Sequence, residues 1–313
     1  MNIDLYTSDD RDEWNAFTRE AKNSHFMFHR DYMEYHADLF SDFSIIVRND
    51  KQEIIGIIPA NLENRTLHSH QGLSFGGLCI RKDVGTSMVL DIFNSLIIFL
   101  KNSKQVDELI YKRLPDFYTN YPSQEDLYAL FILDSNLFRR DVSVAIDLQQ
   151  PLPISKMRKR HSKKAIKNNI VISEENDFSN FWELLTDVLQ KQHGVNPVHS
   201  LDEIKFLRAK FPEHIRCFVA RKDSKIISGT LIFETENVAH AQYLANGEIG
   251  RELGGLDLLI IELIGKYSGK KKFFDLGIST EESGTVLNKG LISQKEGFGA
   301  RAFVHEFYSI SLT

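Results

Sequence analysis

The chain has 313 residues, of which 42% are hydrophobic, and a formal net charge of -5 at pH 7. This length allows two domains of ordinary size, each with a hydrophobic core. The net negative charge excludes a surface that is basic overall, so a polyanionic partner would need a local basic patch.

Neither a membrane span nor a secretory signal is expected. The apolar runs at 96–100 and 256–264 are much shorter than the roughly 20 residues of a spanning helix. The first residues, MNIDLYTSDDRDEW, are acidic and polar and lack the basic start and apolar segment of a signal peptide. Cys79 and Cys217 lie in apolar runs without the spacing of a metal or redox site. We therefore expect a cytoplasmic protein with buried cysteines and no metal.

The predicted elements occur in the same order twice. Residues 45–58, IIVRNDKQEIIGII, align without a gap with residues 218–231, FVARKDSKIISGTL, and each segment predicts a β-hairpin. The elements around each hairpin also correspond: a helix with Trp14 or Trp182, a helix at 31–40 or 201–211, a third strand, an apolar helix at 86–100 or 255–267, and a strand at 109–112 or 273–276. The repeated order predicts an internal duplication. We expect an α/β (α+β) protein with domains at 1–150 and 151–313, each a mixed, mostly antiparallel sheet flanked by helices.

A basic helix is predicted between the halves, at 155–169. It carries seven cationic side chains: Lys156, Arg158, Lys159, Arg160, Lys163, Lys164 and Lys167. Such a run is commonly a solvated face. The functional alternative is phosphate binding, with Arg158 and Arg160 preferred because guanidinium groups match phosphate geometry.

The segment 273–301, FFDLGISTEESGTVLNKGLISQKEGFGAR, predicts a buried strand, a polar loop and a short helix. Lys295 falls on the same helical face as Leu287, Leu291 and Phe298. A lysine on an apolar face needs an anion, which makes it a catalytic candidate. The alternative is that Lys295 reaches solvent along its apolar stem or pairs with a structural carboxylate.

Further candidates are residues whose side chains or backbone could transfer a proton, stabilise a negative charge or bind an anionic group donor. His240 could act as a base, Tyr243 as an acid and Glu281 as a proton acceptor, although each could also be structural. Asn288 lies in the same polar loop as Glu281, and Arg301 could bind a phosphate or carboxylate. Glycines before the apolar helix could expose N–H groups to an anionic donor, or simply form a turn. That candidate donor site consists of Gly250, Arg251, Gly254 and Gly255.

The element order and several motifs resemble GNAT-type acyltransferases in the tandem arrangement of the FemA/FemX branch. The motifs are RKRHSKKAIKNN at 158–169, HAQYLAN at 240–246, FDLGISTE at 274–281 and GLISQKEGFGAR at 290–301, together with SHQGLSFGG at 69–77 and PVH at 197–199. The resemblance implies that Lys295 acts on the transferred acyl group and that Arg251 and Gly254 belong to a pyrophosphate loop. It also implies a β-bulge that would bring Tyr243 towards the cleft.

The resemblance further implies an N-acyltransferase with acyl-CoA as the donor. The acceptor would be an amine of a small molecule or of a cell-envelope precursor, such as a nucleotide- or lipid-linked sugar. Aminoacyl-tRNA is less favoured as the donor, because no extra coiled-coil-like insertion is present. In the first half, His70 and Lys112 are candidate acceptor-binding residues or remnants of the duplicated site. The alternative function is a noncatalytic protein with a decayed donor site that recognises phosphorylated envelope precursors, since Leu256 stands where the pyrophosphate loop has a second small residue.

Overall fold

The computed structural model describes residues 1–312 of the chain. Ten α-helices lie in that part, in addition to short 3-10 turns. They are α1 Arg11–Glu20, α2 Arg30–Met33, α3 Thr86–Ser103, α4 Glu125–Ile132, α5 Lys156–Lys167, α6 Ser179–His193, α7 Leu201–Lys210, α8 Glu248–Leu253, α9 Gly255–Tyr267 and α10 Lys289–Glu296.

The same part of the chain contains sixteen β-strands. They are β1 Asn2–Leu5, β2 Ile45–Arg48, β3 Ile54–Ile58, β4 Asn61–Glu63, β5 Thr66–His68, β6 Cys79–Ile80, β7 Glu108–Lys112, β8 Asn136–Asp147, β9 Val171–Glu175, β10 Ile215–Lys222, β11 Lys225–Glu234, β12 Val238–Asn246, β13 Phe273–Ile278, β14 Thr280–Glu281, β15 Val286–Leu287 and β16 Arg301–Ser311.

The chain forms two compact units. The first comprises Met1–Asp141, Glu282–Thr285 and Val304–Thr313, and the second comprises Val142–Glu281 and Val286–Phe303. The chain therefore passes from one unit to the other four times. From the sequence, we expect domain 1–150 to recognise the acceptor and domain 151–313 to bind the donor and carry out catalysis. These roles stay a prediction.

The first unit has an antiparallel sheet in the order β1-β2-β3-β6. In the same unit, β5 pairs with β4 in antiparallel and β7 in parallel, and the end of β16 pairs with β7 in antiparallel. Helix α3 covers this core because Val89, Ile92, Phe93, Leu96 and Leu100 recur at helical spacing and are all buried.

The second unit contains a mixed sheet in the order β8-β13-β12-β11-β10-β9. Only the β12–β13 pair is parallel. Helix α9 is buried on almost every side, since Leu256, Leu259, Ile260, Leu263 and Tyr267 all lie in the core. Each unit therefore has its own sheet, helices and apolar core, as a mixed and mostly antiparallel α/β domain requires.

The duplicated hairpins are β2–β3 and β10–β11, and both are antiparallel as expected. Each has a register irregularity at the same duplicated position, immediately before Arg48 and Arg221. The halves differ around the hairpin. The helix expected at 31–40 ends at Met33 and gives way to a 3-10 turn, and the third strand of the first half is only the two-residue β6.

Candidate active site

Strand β12 has a β-bulge at Gln242. Ala241 lies opposite Ile232 of β11, and Tyr243 lies opposite Leu231, so Gln242 is an additional residue between the two pairs. Residues directly opposite each other project from the same face of a sheet. The extra residue therefore places Tyr243 on the face of His240, which strict alternation would not do. The expected bulge is present.

His240 and Asp275 lie where two parallel strands separate. Strands β12 and β13 pair from Val238–Phe273 to His240–Asp275. Beyond this pair, β12 continues to Asn246 along β11, and β13 ends at Ile278. The two strands are therefore no longer paired beyond His240 and Asp275.

The imidazole of His240 is oriented by a buried carboxylate. Its Nδ1 lies 2.8 Å from Oδ2 of Asp275, whose side chain is 0% exposed. The other carboxylate oxygen, Oδ1, accepts hydrogen bonds from the Ser143 hydroxyl at 3.0 Å and the Gly277 N–H at 2.8 Å. These bonds hold Asp275 in place, and Asp275 assigns the Nδ1 proton to His240. Nε2 is then the basic nitrogen of the ring.

Lys295 is buried beside this pair, with 7% of its surface exposed. Its ammonium donates to the carbonyl oxygens of Gly277 at 2.9 Å and Ile278 at 2.6 Å, at the end of β13. Burial lowers the pKa of Lys295 to about 8, and the nearby Asp275 opposes that shift. Within residues 1–312 no carboxylate forms an ion pair with Lys295. The ammonium therefore keeps one N–H for a ligand.

The stripe expected around Lys295 is only partly correct. Phe298 is 3% exposed and packs in the core of the second unit. Leu287 is 43% exposed and lies in β15, ahead of the helix, and Leu291 is 37% exposed. The burial of Lys295 thus depends on Phe298 and the end of β13 rather than on a continuous apolar helix face.

Tyr243 forms a second polar pair on the His240 face. Its hydroxyl lies 2.6 Å from Nδ1 of His199, and its ring meets Trp182 edge-on at 5.2 Å between centroids. Burial raises the pKa of Tyr243 to about 12. The hydroxyl therefore stays protonated near neutral pH and can donate a hydrogen bond or a proton.

Glu281, Asn288 and Arg301 have local roles. The exposed carboxylate of Glu281 accepts a 2.7 Å bond from the Asn288 amide, and Asn288 caps α10 by accepting from the Leu291 N–H at 2.9 Å. Arg301 is exposed and donates to the Ala300 carbonyl at 2.6 Å. In residues 1–312, no hydrogen bond or ion pair joins these three side chains to His240 or Lys295.

The glycines ahead of α9 are required by close packing. A Cβ on Gly250 would lie 2.3 Å from the Ile227 carbonyl oxygen, and one on Gly254 would lie 2.4 Å from the His161 carbonyl oxygen. Gly254 also has a φ of +80°, and a Cβ on Gly255 would lie 2.8 Å from the Ser228 hydroxyl. The segment before Gly254 is the short helix α8 rather than an open loop. These contacts explain why glycine is required at positions 250, 254 and 255, and donor binding by the backbone N–H groups of this turn stays a prediction.

The first turn of α9 contains a carboxylate of its own. Asp257 is 7% exposed and accepts a 2.9 Å hydrogen bond from Nη1 of Arg158 on α5. A carboxylate is the favoured group at a helix N-terminus. Arg158 is thereby committed to Asp257, whereas Arg160 is exposed; Arg251 donates to the Asn246 carbonyl at 2.8 Å.

We expect Gly250→Ala to lower the free energy of unfolding by about 2 kcal/mol, because its Cβ would overlap backbone and side-chain atoms of β11. Gly265→Ala is the matched control, since a Cβ there has no neighbour within 4 Å and the position is helical. The control should stabilise the chain by about 0.5–1 kcal/mol. Urea unfolding measures both variants, and equal stability of the two would contradict the packing argument.

The remaining candidates, His70 and Lys112, belong to the first unit. Both line a cleft of about 230 Å³. No member of the His240, Asp275 and Lys295 cluster is in that unit.

The cysteines are buried as expected, and burial raises the pKa of both thiols. Residues 1–312 contain no group of three or more histidine, cysteine, aspartate or glutamate side chains placed to hold a metal ion. Among the same residues, every helix is too short or too polar to cross a membrane.

Solved structures of known proteins share this architecture. FemX has a TM-score of 0.67 and 11% identity, over 99% of this chain and 97% of FemX. The L-PGS of Bacillus licheniformis has a TM-score of 0.64 and 11% identity, over 99% of this chain and 93% of that one. A tandem GNAT protein of the clavulanic acid biosynthesis pathway has a TM-score of 0.50 and 9% identity, over 100% and 99%. No protein-family model and no curated protein sequence matches the chain.

The chain therefore has a tandem GNAT fold of the FemAB-like kind. Within that class, its similarity to FemX extends over nearly the whole of both chains. The resemblance and the fold class expected from the motifs are confirmed.

Three polar residues near the cluster were not among the predicted site residues: Asp275, Ser143 and His199. The signal in the sequence for Asp275 is a carboxylate within a strand of otherwise apolar residues. Ser143 and His199 reach the cluster only through strand pairing and a loop, which local sequence patterns do not reveal.

Proposed function

We propose that this chain is an N-acyltransferase that moves an acyl or aminoacyl group from an activated donor to an amine. The observation that carries the proposal is the His240–Asp275 pair beside buried Lys295, at the separation of β12 and β13. The acceptor we propose is a small molecule or a cell-envelope or polysaccharide precursor.

In the proposed reaction, His240 removes the proton of the attacking amine through Nε2. The amine nitrogen then forms a bond to the acyl carbon, and the negative charge that develops on the acyl oxygen is stabilised by the Lys295 ammonium. Collapse breaks the bond to the donor, and the leaving sulfur or oxygen takes a proton from Tyr243. His240 then releases its extra proton to solvent, and the Tyr243 phenolate takes a proton from solvent, which restores both groups. Glu281 stays a candidate for that proton relay.

For the donor we propose acyl-CoA, with its phosphates on the exposed face of α5. Lys156, Lys159, Arg160, Lys163 and Lys167 are exposed, and none forms an ion pair within residues 1–312. Helix α5 also packs on the α8–α9 junction, where the Lys164 ammonium donates to the Glu252 carbonyl at 2.7 Å. This face lies next to the glycine turn of Gly250, Arg251, Gly254 and Gly255, which stays a candidate donor site.

An aminoacyl donor is a second candidate, favoured by the same basic face. One structural neighbour is the C-terminal domain of a protein named a putative lysylphosphatidylglycerol synthetase, and a lysyl group is an aminoacyl group. A tRNA would meet the exposed lysines of α5 through its phosphates, which every tRNA presents.

Calorimetry with acetyl-CoA tests the donor. We expect binding that weakens as salt rises, because contacts through exposed lysines are screened. Acetylated or aminoacylated tRNA and a UDP-sugar are the comparison ligands. Binding of charged tRNA alone would select the aminoacyl donor. Binding of the UDP-sugar alone, without either donor, would refute transfer and leave a noncatalytic protein that recognises phosphorylated precursors.

A further inference from the structure

A cleft in the first unit, unrelated to the His240 cluster, is built around an uncompensated cation. It has a volume of about 230 Å³ and is lined by residues that include His70, Lys112, Phe138, Arg139, Phe307 and Ile110. All of these residues lie within the first unit. The proposed acyl transfer assigns no step to them.

Lys112 lies at the end of β7 with its ammonium in a desolvated position. Burial, and secondarily the charge of Arg139, lowers the pKa of Lys112 to about 7. The ammonium donates to the Leu73 carbonyl. Within residues 1–312, no carboxylate lies close enough to form an ion pair with it. An ammonium has three N–H donors, so Lys112 keeps capacity for an anion.

The other charges of the cleft are already balanced. Arg139 pairs with Asp141 at 2.7 Å and stacks over the Phe307 ring at 4.4 Å. Burial lowers the pKa of His70 to about 4, so its imidazole is neutral near neutral pH. Below about pH 7, where Lys112 is protonated, the charge left to be matched is therefore the single positive charge of Lys112.

The loop that carries His70 is held in an unusual conformation. His70 has a φ of +72°, in the left-handed region that side chains rarely adopt, and its Nδ1 is buried without a hydrogen-bond partner. Backbone strain of this kind costs of order 1–3 kcal/mol and concentrates at functional sites. Close packing fixes the same loop, because a Cβ on Gly76 would lie 1.7 Å from the Ser69 carbonyl oxygen.

The walls of the cleft are apolar and aromatic. Phe138 is 50% exposed and meets Phe307 edge-on at 6.4 Å, and Ile110 lines the same space. Aromatic surface of this kind suits a planar or apolar group.

We propose that this cleft binds a singly charged carboxylate carried on a planar or apolar body, with Lys112 as its ionic partner. The carboxylate matches the one unbalanced charge, and the body contacts Phe138 and Phe307. A phosphate monoester, whose second proton is lost near pH 6, would carry more than one negative charge and leave the excess unmatched. The inference does not rest on the proposed acyl transfer, because binding is measurable without a donor.

Calorimetry with benzoate on the full chain tests the proposal at about pH 6, where Lys112 is protonated. Benzamide is the neutral counterpart, and phenyl phosphate carries the competing head group. We expect benzoate to bind, and benzamide to bind with an affinity at least about tenfold lower. Lys112→Met should lower the affinity for benzoate by about tenfold or more, because a charged hydrogen bond is lost. Lys101→Met, an exposed lysine of α3, should leave the affinity unchanged.

Phe138→Ala provides a second test that does not disturb the core, since Phe138 is half exposed. It should weaken benzoate severalfold while circular dichroism and thermal unfolding stay as in the wild type. Equal affinity for benzoate in the wild type and Lys112→Met, or no binding of benzoate at all, would overturn the proposal. Tighter binding of phenyl phosphate than of benzoate would overturn the carboxylate assignment.

Discussion

Lys295→Met should lower the transfer rate by about 10²–10³-fold while the chain still folds. The substitution keeps a long apolar stem beside Phe298 and removes the ammonium that the acyl oxygen would meet. Because the charged group is desolvated, its removal should not lower the free energy of unfolding at neutral pH. Steady-state transfer of a radiolabelled acyl group and urea unfolding measure the two effects, and Lys289→Met, exposed on the same helix, is the control.

The pH dependence of Lys295 gives a sharper signature. Its pKa is lowered to about 8 by burial, so the transfer rate should fall as pH rises through about 8 and the ammonium is lost. The free energy of unfolding should instead rise as pH rises above about 8. The unfolded chain holds this proton up to the ordinary lysine pKa, so above about 8 the unfolded state binds more protons and the contribution of Lys295 to stability rises with pH. Unchanged turnover in Lys295→Met would make Lys295 a structural lysine.

Asp275→Asn should lower the transfer rate by about 10²–10⁴-fold, the range that a positioned base contributes. In the native chain, Asp275 accepts the Nδ1 proton of His240. An asparagine amide at the same place would donate a hydrogen bond to Nδ1 and so place the ring proton on Nε2. Nε2 could then no longer accept the proton of the amine. The volume of the side chain barely changes, so the loss should appear in the rate constant rather than in acceptor binding.

Two further variants separate chemistry from folding for this pair. His240→Gln should give a loss similar to that of Asp275→Asn, and the double variant should be no worse than either, because both act through one proton transfer. Asp187→Asn, an exposed carboxylate of α6, should have wild-type activity. If Asp275→Asn folds and transfers at the wild-type rate, His240 is not the base.

Local patterns predicted the main elements and Lys295, but not the neighbours that give each side chain its environment. The bulge of β12 was expected from family resemblance, whereas alternation alone would have placed Tyr243 on the wrong face. The glycines at 250, 254 and 255 were singled out from the sequence as a candidate donor site. The packing that requires glycine there could not be deduced, because the atoms they approach belong to residues 161, 227 and 228. Packing between distant segments decides such cases, and one sequence does not encode it in any local period.

The same limit applies to the basic helix. Seven cations within α5 predicted a phosphate-binding face, but not that Arg158 would turn inward to Asp257, 99 residues further along the chain. Helical spacing placed Arg158 on the side of Ser162 and Ala165, which are buried, and this could have been read from the sequence.

The passage of the chain between the two units has a consequence for its synthesis. The end of β16 pairs with β7 inside the first unit, yet it follows the entire second unit along the chain. Almost all of the second unit therefore emerges from the ribosome before the strand that completes the sheet of the first unit. During that interval β7 presents an unpaired edge, which is a known point of misassociation. Elongation speed and chaperone access in this interval should govern the yield of native protein more than the stability of either unit does.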